Sequence, residues 1–335
     1  MNTSGTGRCL ILAAAWILML FSLIPVFASA ETKAVGNIQL DFKSVDEMTL
    51  YSSFYNRYAN NYTHYDTSKA NLFIIKFNKA IDALNPHVPA YLYFVESSRS
   101  HPMQVSFTES SDYYNYLCAR LHVDQYDHLK FSTFGQFCEY FYSTDHHWNH
   151  RGAYQGYVDI VHMVFGNQEK IQVAEEEIVL PVLFNGSFAK SHKNPCSTEY
   201  FALYRFGSLQ PYTSYINGRQ RKYDRIQAYL KGQYSKSVYT NHYQSCYGGN
   251  YASVVMETGQ KDKPNLLLFT NSTGAGVKYL LAGHFNRIVS IDLRYYKKEF
   301  GHSFSLQEAV KEYRIDMILI LGENVFFSSA KDLDP

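Results

Sequence analysis

The sequence has no excess of charge of either sign. Its 335 residues contain 31 Lys and Arg against 30 Asp and Glu. Proteins that bind nucleic acid rely on a positive electrostatic field around the binding surface. The even balance therefore argues against nucleic acid as a partner of this chain.

Charge is almost absent from residues 1–30, where Arg8 is the single charged side chain. An apolar run from Cys9 to Phe27 follows it, and Ala28-Ser29-Ala30 closes the segment. This pattern predicts a signal peptide that is cleaved after residue 30. The run is also close to the roughly 20 residues of a membrane-spanning helix, so an N-terminal anchor stays open. Both interpretations predict an extracytoplasmic protein that is secreted, periplasmic or held at the cell envelope.

Cysteine is scarce, with five residues in the whole chain. Four of them follow the N-terminal segment, namely Cys118, Cys138, Cys196 and Cys246. Their spacing does not resemble a zinc site. An even number in an exported chain predicts two disulfides, and the sequence leaves all three pairings open.

After residue 30, the sequence contains alternating helix and strand patterns. Residues 31–65 are a polar, tyrosine-rich lead segment, which we expect to be extended or to form short strands. A helix then begins near Asp66 or Thr67 and ends at Asn85-Pro86, and a buried strand follows at 90–95. A second helix and strand are expected between Asp112 and Tyr142.

The same alternation resumes near the C-terminus. Strands are expected at 266–269, 287–293 and 316–321, with helices at 276–284 and 306–313. This order predicts an α/β domain over residues 66–330, with a mainly parallel sheet and helices on both faces. Residues 168–263 interrupt it, and we interpret them as an insertion of strands and loops that covers the active face.

A polar loop lies in the middle of the chain, where Asp145-His146-His147-Trp148 follows an aromatic run and precedes a helical pattern. We expect it to connect a strand to a helix. Side chains two residues apart on an extended segment point to the same side, so Asp145 and His147 should face each other and His146 should point away. Such a loop can present an imidazole and a carboxylate to a substrate.

A second polar stretch, Thr270 to Gly276, follows the strand expected at 266–269. Its Ser272 stands at the foot of a helix, where backbone N–H groups favour a developing negative charge, so it is a candidate nucleophile. Alternatively, Ser272 only caps that helix. Gly274 and Gly276 are too short a signal for a dinucleotide site, and no cofactor is predicted.

These two stretches carry a resemblance to a known family. The Thr-Asp-His-His-Trp-Asn run followed by Gly-Ala-Tyr, the later strand-Asn-Ser-helix and the strand at 291–295 resemble the DHHW family of bacterial envelope proteins. That family is similar to the SGNH-hydrolase-like domains of alginate O-acetyltransferases, in which an Asp-x-His-Trp motif precedes the nucleophilic Ser. The resemblance covers roughly residues 65–328. It implies an SGNH-hydrolase-like three-layer fold with the insertion placed between the Asp-His and Ser motifs.

The resemblance also implies roles for individual residues. Ser272 would be the nucleophile, His147 its base and Asp145 the group that orients the base. His146 would support them, and Trp148 would form a wall of the site or stack on a sugar. Arg294 and Asn324 follow predicted strands and are candidates for binding an oxyanion. Asn271 departs from the family, because many relatives carry Asp there.

The expected function is that of a serine-dependent O-acyltransferase or esterase of the cell envelope. Its substrate would be a carbohydrate or an acyl ester, and a membrane protein is a possible acyl-donor partner. A different class stays open, namely a non-catalytic envelope protein that keeps the fold and binds a glycan or a partner. The loop histidines and Asp145 could also bind a divalent metal, but no spaced Cys or carboxylate partner is evident and no metal is predicted.

Overall fold

The structure is a computed structural model, and it describes residues 42–46, 49–60, 67–96, 111–192, 199–221, 224–330 and 332–334. The predicted signal peptide or anchor, residues 1–30, lies outside these ranges. Within them, no helix combines the length and the apolar composition needed to cross a membrane.

The described residues form eleven α-helices and one 3₁₀ turn. The helices are α1 (Thr67–Asp82), α2 (Asp112–Cys118), α3 (Phe134–Tyr140), α4 (His150–Phe165), α5 (Ser187–Ser191), α6 (Arg225–Leu230), α7 (His242–Tyr247), α8 (Lys278–Leu281), α9 (Leu293–Phe300), α10 (Leu306–Tyr313) and α11 (Asn324–Ser329). The 3₁₀ turn is Ser272–Gly276 and leads into α8. Helix α1 confirms its predicted apolar face, because Phe73, Phe77 and Ile81 are all buried.

Fifteen strands accompany these helices in the described part of the chain. They are β1 (Phe42–Ser44), β2 (Thr49–Ser52), β3 (Arg57–Asn60), β4 (Ala90–Phe94), β5 (Gln125–His128), β6 (Ala174–Leu183), β7 (Tyr200–Phe206), β8 (Thr213–Ile216), β9 (Arg219–Arg221), β10 (Ser253–Glu257), β11 (Asn265–Thr270), β12 (Arg287–Ile291), β13 (Phe304–Ser305), β14 (Met317–Gly322) and β15 (Leu333–Asp334). Strands β1 to β3 form an antiparallel sheet of their own, so the lead segment does contain short strands.

The central sheet has eight strands in the order β5-β4-β14-β11-β12-β10-β8-β9. The five strands from β5 to β12 in this order pair parallel with one another, as the alternating pattern predicted. Strands β10, β8 and β9 pair antiparallel and come from the predicted insertion. The insertion therefore extends the sheet, and the fold is α/β with a large mixed sheet.

A tight turn joins β8 to β9 and allows these two strands to pair as a hairpin at the edge of the sheet. Asn217 and Gly218 both have positive φ, at 47° and 76°. Two such residues make the turn that matches the twist of a two-residue β-hairpin. The Asn-Gly pair is thus a local sequence signal for a hairpin inside the insertion.

Strand β11 is buried on both faces of the sheet. Leu266 and Leu268 belong to the hydrophobic cluster that contains Trp148 of the Asp-His loop. Leu267 and Phe269 belong to a second cluster, which includes the buried face of α1. Because successive side chains of a strand point to opposite faces, this apolar run fits a central strand covered on both sides.

The element before the Asp-His loop differs from the prediction, because residues 134–140 form helix α3 and not a strand. The Thr133 hydroxyl caps this helix by accepting a hydrogen bond from the Gln136 backbone N–H. Phe137 and Phe141, four residues apart, are both buried, which is helical spacing. Only Phe141 retains strand character, in an isolated bridge to Trp148.

The helix predicted at 276–284 is also shorter than expected. The chain first makes the 3₁₀ turn and then a single turn of α-helix, Lys278–Leu281. A Cβ atom on Gly274 would lie 2.4 Å from the hydroxyl of Thr270, so this glycine allows the turn to fold back tightly on strand β11.

The prediction of two disulfides is wrong. Cys118, Cys138 and Cys246 are free thiols, and Cys196 lies outside the described residues. Cys118 packs against the cluster that includes α1, whereas Cys138 and Cys246 belong to the cluster that includes Trp148. Burial raises the pKa of the Cys118 thiol to about 11. Cys246 therefore serves as a small apolar side chain in the core, and Cys118 and Cys138 are partly buried against it.

Candidate active site

Asp145 and His147 form a buried, hydrogen-bonded pair on the loop between α3 and α4. His147 Nδ1 lies 2.5 Å from Asp145 Oδ1, and the His147 backbone N–H donates to the same oxygen at 3.0 Å. The other carboxylate oxygen accepts the Ser187 backbone N–H at 2.7 Å. This confirms the predicted proximity of Asp145 and His147. With Nδ1 donating to the carboxylate, Nε2 carries the lone pair that a general base uses.

The charge state of Asp145 follows from these contacts. Burial opposes its ionisation, but the charges of the neighbouring His147 and His146 and the hydrogen bonds from His147 and Ser187 outweigh burial. Together they hold the pKa of Asp145 well below its usual value. Asp145 is therefore a carboxylate that can orient His147 and stabilise it when it gains a proton.

The Nε2 atom of His147 is buried and has no hydrogen-bond partner among the described residues. The ring stacks on Tyr243, with centroids 4.0 Å apart and planes 14° apart. A buried polar atom without a partner costs free energy and is uncommon outside functional sites. Because Asp145 holds the other ring nitrogen, this unpartnered nitrogen makes His147 a candidate base.

Ser272 is the first residue of the 3₁₀ turn, and Asn271 is its cap. The Asn271 side-chain oxygen accepts the Thr273 backbone N–H at 2.9 Å. Its amide nitrogen donates to Glu323 Oε1 at 3.0 Å. The capping role that the sequence left open for Ser272 thus belongs to Asn271.

Two aromatic side chains join the Asp-His loop to the Ser turn. The Tyr243 hydroxyl donates to the backbone oxygen of Ser272 at 2.9 Å, while its ring stacks on His147. Trp148 Nε1 donates to the backbone oxygen of Thr273 at 2.9 Å. The structure therefore brings the two predicted stretches together, although no hydrogen bond joins the Ser272 hydroxyl to His147 Nε2. Catalytic hydrogen bonds are often long or absent before substrate binds.

Trp148 is fully buried, so the predicted role as a wall or a sugar-stacking ring is wrong. A Cβ atom at Gly156 would meet its ring at 2.5 Å, which shows how closely helix α4 packs on it. Its function in the structure is to fix the Ser turn through Thr273. A large aromatic side chain such as that of Trp148 stabilises the fold by burying its apolar surface in the core.

The Ser272 side chain opens into a cavity of about 290 Å³. Its lining includes Ser272, Asn271, His146, Arg294, Glu323, Ser187 and His192. The Arg294 guanidinium is held by Asp292, with contacts of 2.6 to 3.2 Å. Asn324 is buried, is not part of this lining, and both of its amide atoms lack hydrogen-bond partners in the described structure. Of the two candidates for binding an oxyanion, only Arg294 lines the cavity.

His146 does not point wholly away from the pair. Its Nδ1 is 2.7 Å from the Ser187 hydroxyl, but its ring centroid lies 3.9 Å from that of His147. Ligand atoms of Asp145, His146 and His147 lie within 4.8 Å of one another, a spacing open to a metal ion. The shared Asp145 oxygen and both Nδ1 atoms are already used in hydrogen bonds.

Several residues that shape the site were missed by sequence reasoning. Ser187 and Tyr243 come from the insertion and contact Asp145 and His147 directly. Gly186, next to Ser187, packs directly against Asp145, because a Cβ atom on Gly186 would lie 2.2 Å from the Cβ of Asp145. Only glycine allows this close approach.

The fold of the chain is similar to that of two solved α/β structures. A DHHW family protein from Eubacterium siraeum superposes with a TM-score of 0.64 at 16% identity, covering 88% of this chain and 98% of that chain. PatB1 from Bacillus cereus, in a structure with a sulfonyl adduct, gives a TM-score of 0.63 at 16% identity, covering 85% and 98%. No protein-family model and no curated protein matches the chain. The shared fold agrees with the α/β fold that the resemblance to the DHHW family implied.

Proposed function

We propose that this protein is an exported, serine-dependent O-acyltransferase or esterase that acts on a carbohydrate. The carrying observation is the Asp145–His147 pair, which presents an unpartnered Nε2 beside the turn that carries Ser272. The proposal includes the three-layer arrangement of SGNH-hydrolase-like domains. PatB1, which shares the fold, forms a sulfonyl adduct, and activated serines are among the side chains that react in this way.

In the first half-reaction, the Ser272 hydroxyl oxygen attacks the carbonyl carbon of an acyl ester. His147 Nε2 takes the hydroxyl proton, and Asp145 stabilises the resulting imidazolium. The bond from the carbonyl carbon to the leaving alkoxide then breaks, and His147 returns its proton to that oxygen. Acyl-Ser272 and a free alcohol remain, so atoms and charge balance.

In the second half-reaction, His147 removes a proton from the hydroxyl of the acceptor, whose oxygen attacks the acyl carbon. The bond from that carbon to the Ser272 oxygen then breaks, and His147 returns the proton to Ser272. A sugar hydroxyl as acceptor gives acyl transfer, and water gives hydrolysis. The negative charge on the carbonyl oxygen needs donors that are already in place. The Ser272 backbone N–H and Arg294 are the proposed donors at the cavity, and Asn324 with its unpartnered amide is a third candidate.

The proposed location is outside the cytoplasm, on the basis of the apolar segment and the Ala-Ser-Ala end within residues 1–30. An exported acyl-transfer enzyme needs an acyl donor outside the cytoplasm. A membrane protein that supplies the acyl group is therefore the proposed partner.

Hydrolysis of p-nitrophenyl acetate tests the catalytic proposal. The wild-type protein should release nitrophenolate, and Ser272→Ala should lose at least about 10³-fold in kcat/KM, because the nucleophile is removed. Ser303→Ala is the matched control, because Ser303 does not line this cavity and does not belong to the Asp-His loop. Equal activity of Ser272→Ala and wild type would contradict the proposal.

A non-catalytic glycan-binding or partner-binding protein is the second candidate function. The observation that favours it is the missing hydrogen bond between Ser272 and His147. If that candidate is right, neither p-nitrophenyl acetate nor acylated oligosaccharides should turn over, while oligosaccharides should still bind. Turnover that depends on Ser272 would exclude it.

A further inference from the structure

A second cavity, of about 400 Å³, lies beside the same 3₁₀ turn. Ala275 of that turn lines this cavity, whereas Ser272 lines the cavity of the candidate active site. Its other walls come from the β8–β9 hairpin, α6, the end of α7 and α8. A volume of this size is within the range of small-molecule sites. None of its lining residues belongs to the proposed catalytic triad.

Tyrosines provide much of the wall of this second cavity. Tyr212, Tyr247, Tyr251 and Tyr279 all line it. The rings of Tyr247 and Tyr279 are nearly parallel, with centroids 6.0 Å apart and planes at 13°. Tyrosine offers an apolar face together with a hydroxyl. A sugar ring has the matching combination, since it presents a C–H face and a rim of hydroxyls.

The charged side chains of the lining are mostly cations. Arg221, Arg225 and Lys278 line the cavity, and none of the three has an ion pair among the residues that the structure describes. Arg225 instead donates to the Tyr251 hydroxyl at 3.2 Å. The one carboxylate of the lining, Asp224, accepts the backbone N–H of Gln227 and caps α6.

Lys278 is a partly buried cation of this lining. Desolvation lowers the pKa of its ammonium to about 8, and the charge of Asp292 only partly offsets this. Asp292 already binds Arg294 through both carboxylate oxygens. A cation that is desolvated without its own counter-ion reduces stability, and such groups cluster at functional sites. An anionic ligand would supply the missing charge.

We propose that this second cavity binds a saccharide unit that carries an anionic group, either a carboxylate or a phosphate. The tyrosine faces would contact the sugar ring, and Lys278 with Arg225 would bind the anion. This inference goes beyond the proposed acyl transfer and does not depend on it, because binding here requires neither Ser272 nor His147. A loss of one activity therefore leaves the other testable.

Calorimetric titration of the purified protein tests this site with three probes. Trigalacturonate carries carboxylates, glucose 1-phosphate carries a phosphate, and maltotriose is neutral. Trigalacturonate should bind at least 10-fold more tightly than maltotriose. Lys278→Met, which keeps the length of the side chain but removes its charge, should weaken trigalacturonate binding at least 10-fold.

Lys261→Met is the matched control, because Lys261 is exposed and lines a different part of the surface. It should bind trigalacturonate as the wild type does. Arg225→Gln is a second test if Lys278→Met fails to fold, and it should also weaken binding. Tight binding of glucose 1-phosphate alone would support the site and identify phosphate as the anion. Affinity for maltotriose that equals the affinity for both anionic probes, unchanged affinity in both folded variants, or no binding of any probe would overturn the proposal.

Discussion

The Asp-His loop and the Ser turn are positioned in different ways, although they meet at one site. The loop is held by side chains that are distant in sequence. Arg57 donates to the backbone oxygens of Cys138, Phe141 and Tyr142, and Glu199 accepts the backbone N–H groups of Ser143 and Thr144. These bonds cross about 55 to 85 positions of the chain.

The Ser turn is held mainly by the sheet from which it emerges. Strand β11 lies between β14 and β12, and Asn271 directly after it contacts Glu323 directly after β14. Two parallel strands therefore bring both residues to the same edge. The difference teaches that Ser272 is placed mainly by the backbone of the fold, whereas His147 is placed by a few buried polar side chains.

The largest expected effects are losses of ester turnover when residues of the Asp-His loop are substituted. His147→Ala should reduce ester turnover about as much as Ser272→Ala, because the two act as one unit. Asp145→Asn should cost less, on the order of 10²-fold less than His147→Ala, since the base remains. Steady-state kinetics measure this, with His302→Ala as the matched control for an exposed histidine. An Asp145→Asn loss that exceeds the His147→Ala loss would contradict the assigned roles.

A structural test compares buried and exposed arginines. Arg57→Met should lower the free energy of unfolding by about 2–4 kcal/mol, because three buried carbonyl oxygens lose a charged donor. Arg205→Met removes a surface ion pair with Glu176 and should change the free energy of unfolding by less than about 1 kcal/mol. Urea denaturation measures both. Equal effects would show that Arg57 does not hold the loop.

The smallest expected effect concerns the Ser turn. Asn271→Asp places a carboxylate against Glu323, whose pKa is already raised by burial. Both folded-state pKa values should then lie above their unfolded values, so stability is retained at low pH and lost as pH rises. We expect a cost of about 1–3 kcal/mol at pH 7 that shrinks toward pH 4.

Adding Glu323→Gln to Asn271→Asp should restore most of this stability, because only one carboxylate then remains. Asn167→Asp is the exposed control and should show no such pH dependence. Chemical denaturation at pH 4, 5.5 and 7 distinguishes these cases. A pH-independent effect of Asn271→Asp would mean that its contact with Glu323 is not electrostatic.

Much of the fold could be predicted from local patterns. Helix α10 has the predicted bounds, and strands β4, β11, β12 and β14 lie where apolar runs indicated. These elements depend on residues that are near each other in sequence. The helix and strand expected between Asp112 and Tyr142 are α2 and β5. The Asp-His loop follows helix α3 and not the expected strand, because the aromatic run at 139–142 fits both periodicities over so short a length.

The candidate site was predictable only in part. The contact between Asp145 and His147 could be predicted, and Ser272 could be proposed, because each lies in a recognisable motif next to a regular element. Ser187, Tyr243, Arg57 and Glu199 could not, since each reaches the site through contacts far along the chain. No local pattern reports on a contact of this kind.

Covalent labelling with phenylmethylsulfonyl fluoride tests most directly whether His147 activates Ser272. The reagent forms a stable sulfonyl ester with an activated serine hydroxyl, and peptide mass spectrometry locates it. The wild-type protein should carry one label on Ser272, and His147→Ala should carry none under the same conditions. His302→Ala should label as the wild type does. Labelling of Ser272 at the same rate in His147→Ala, or a label on other serines only, would contradict a Ser272–His147 catalytic pair.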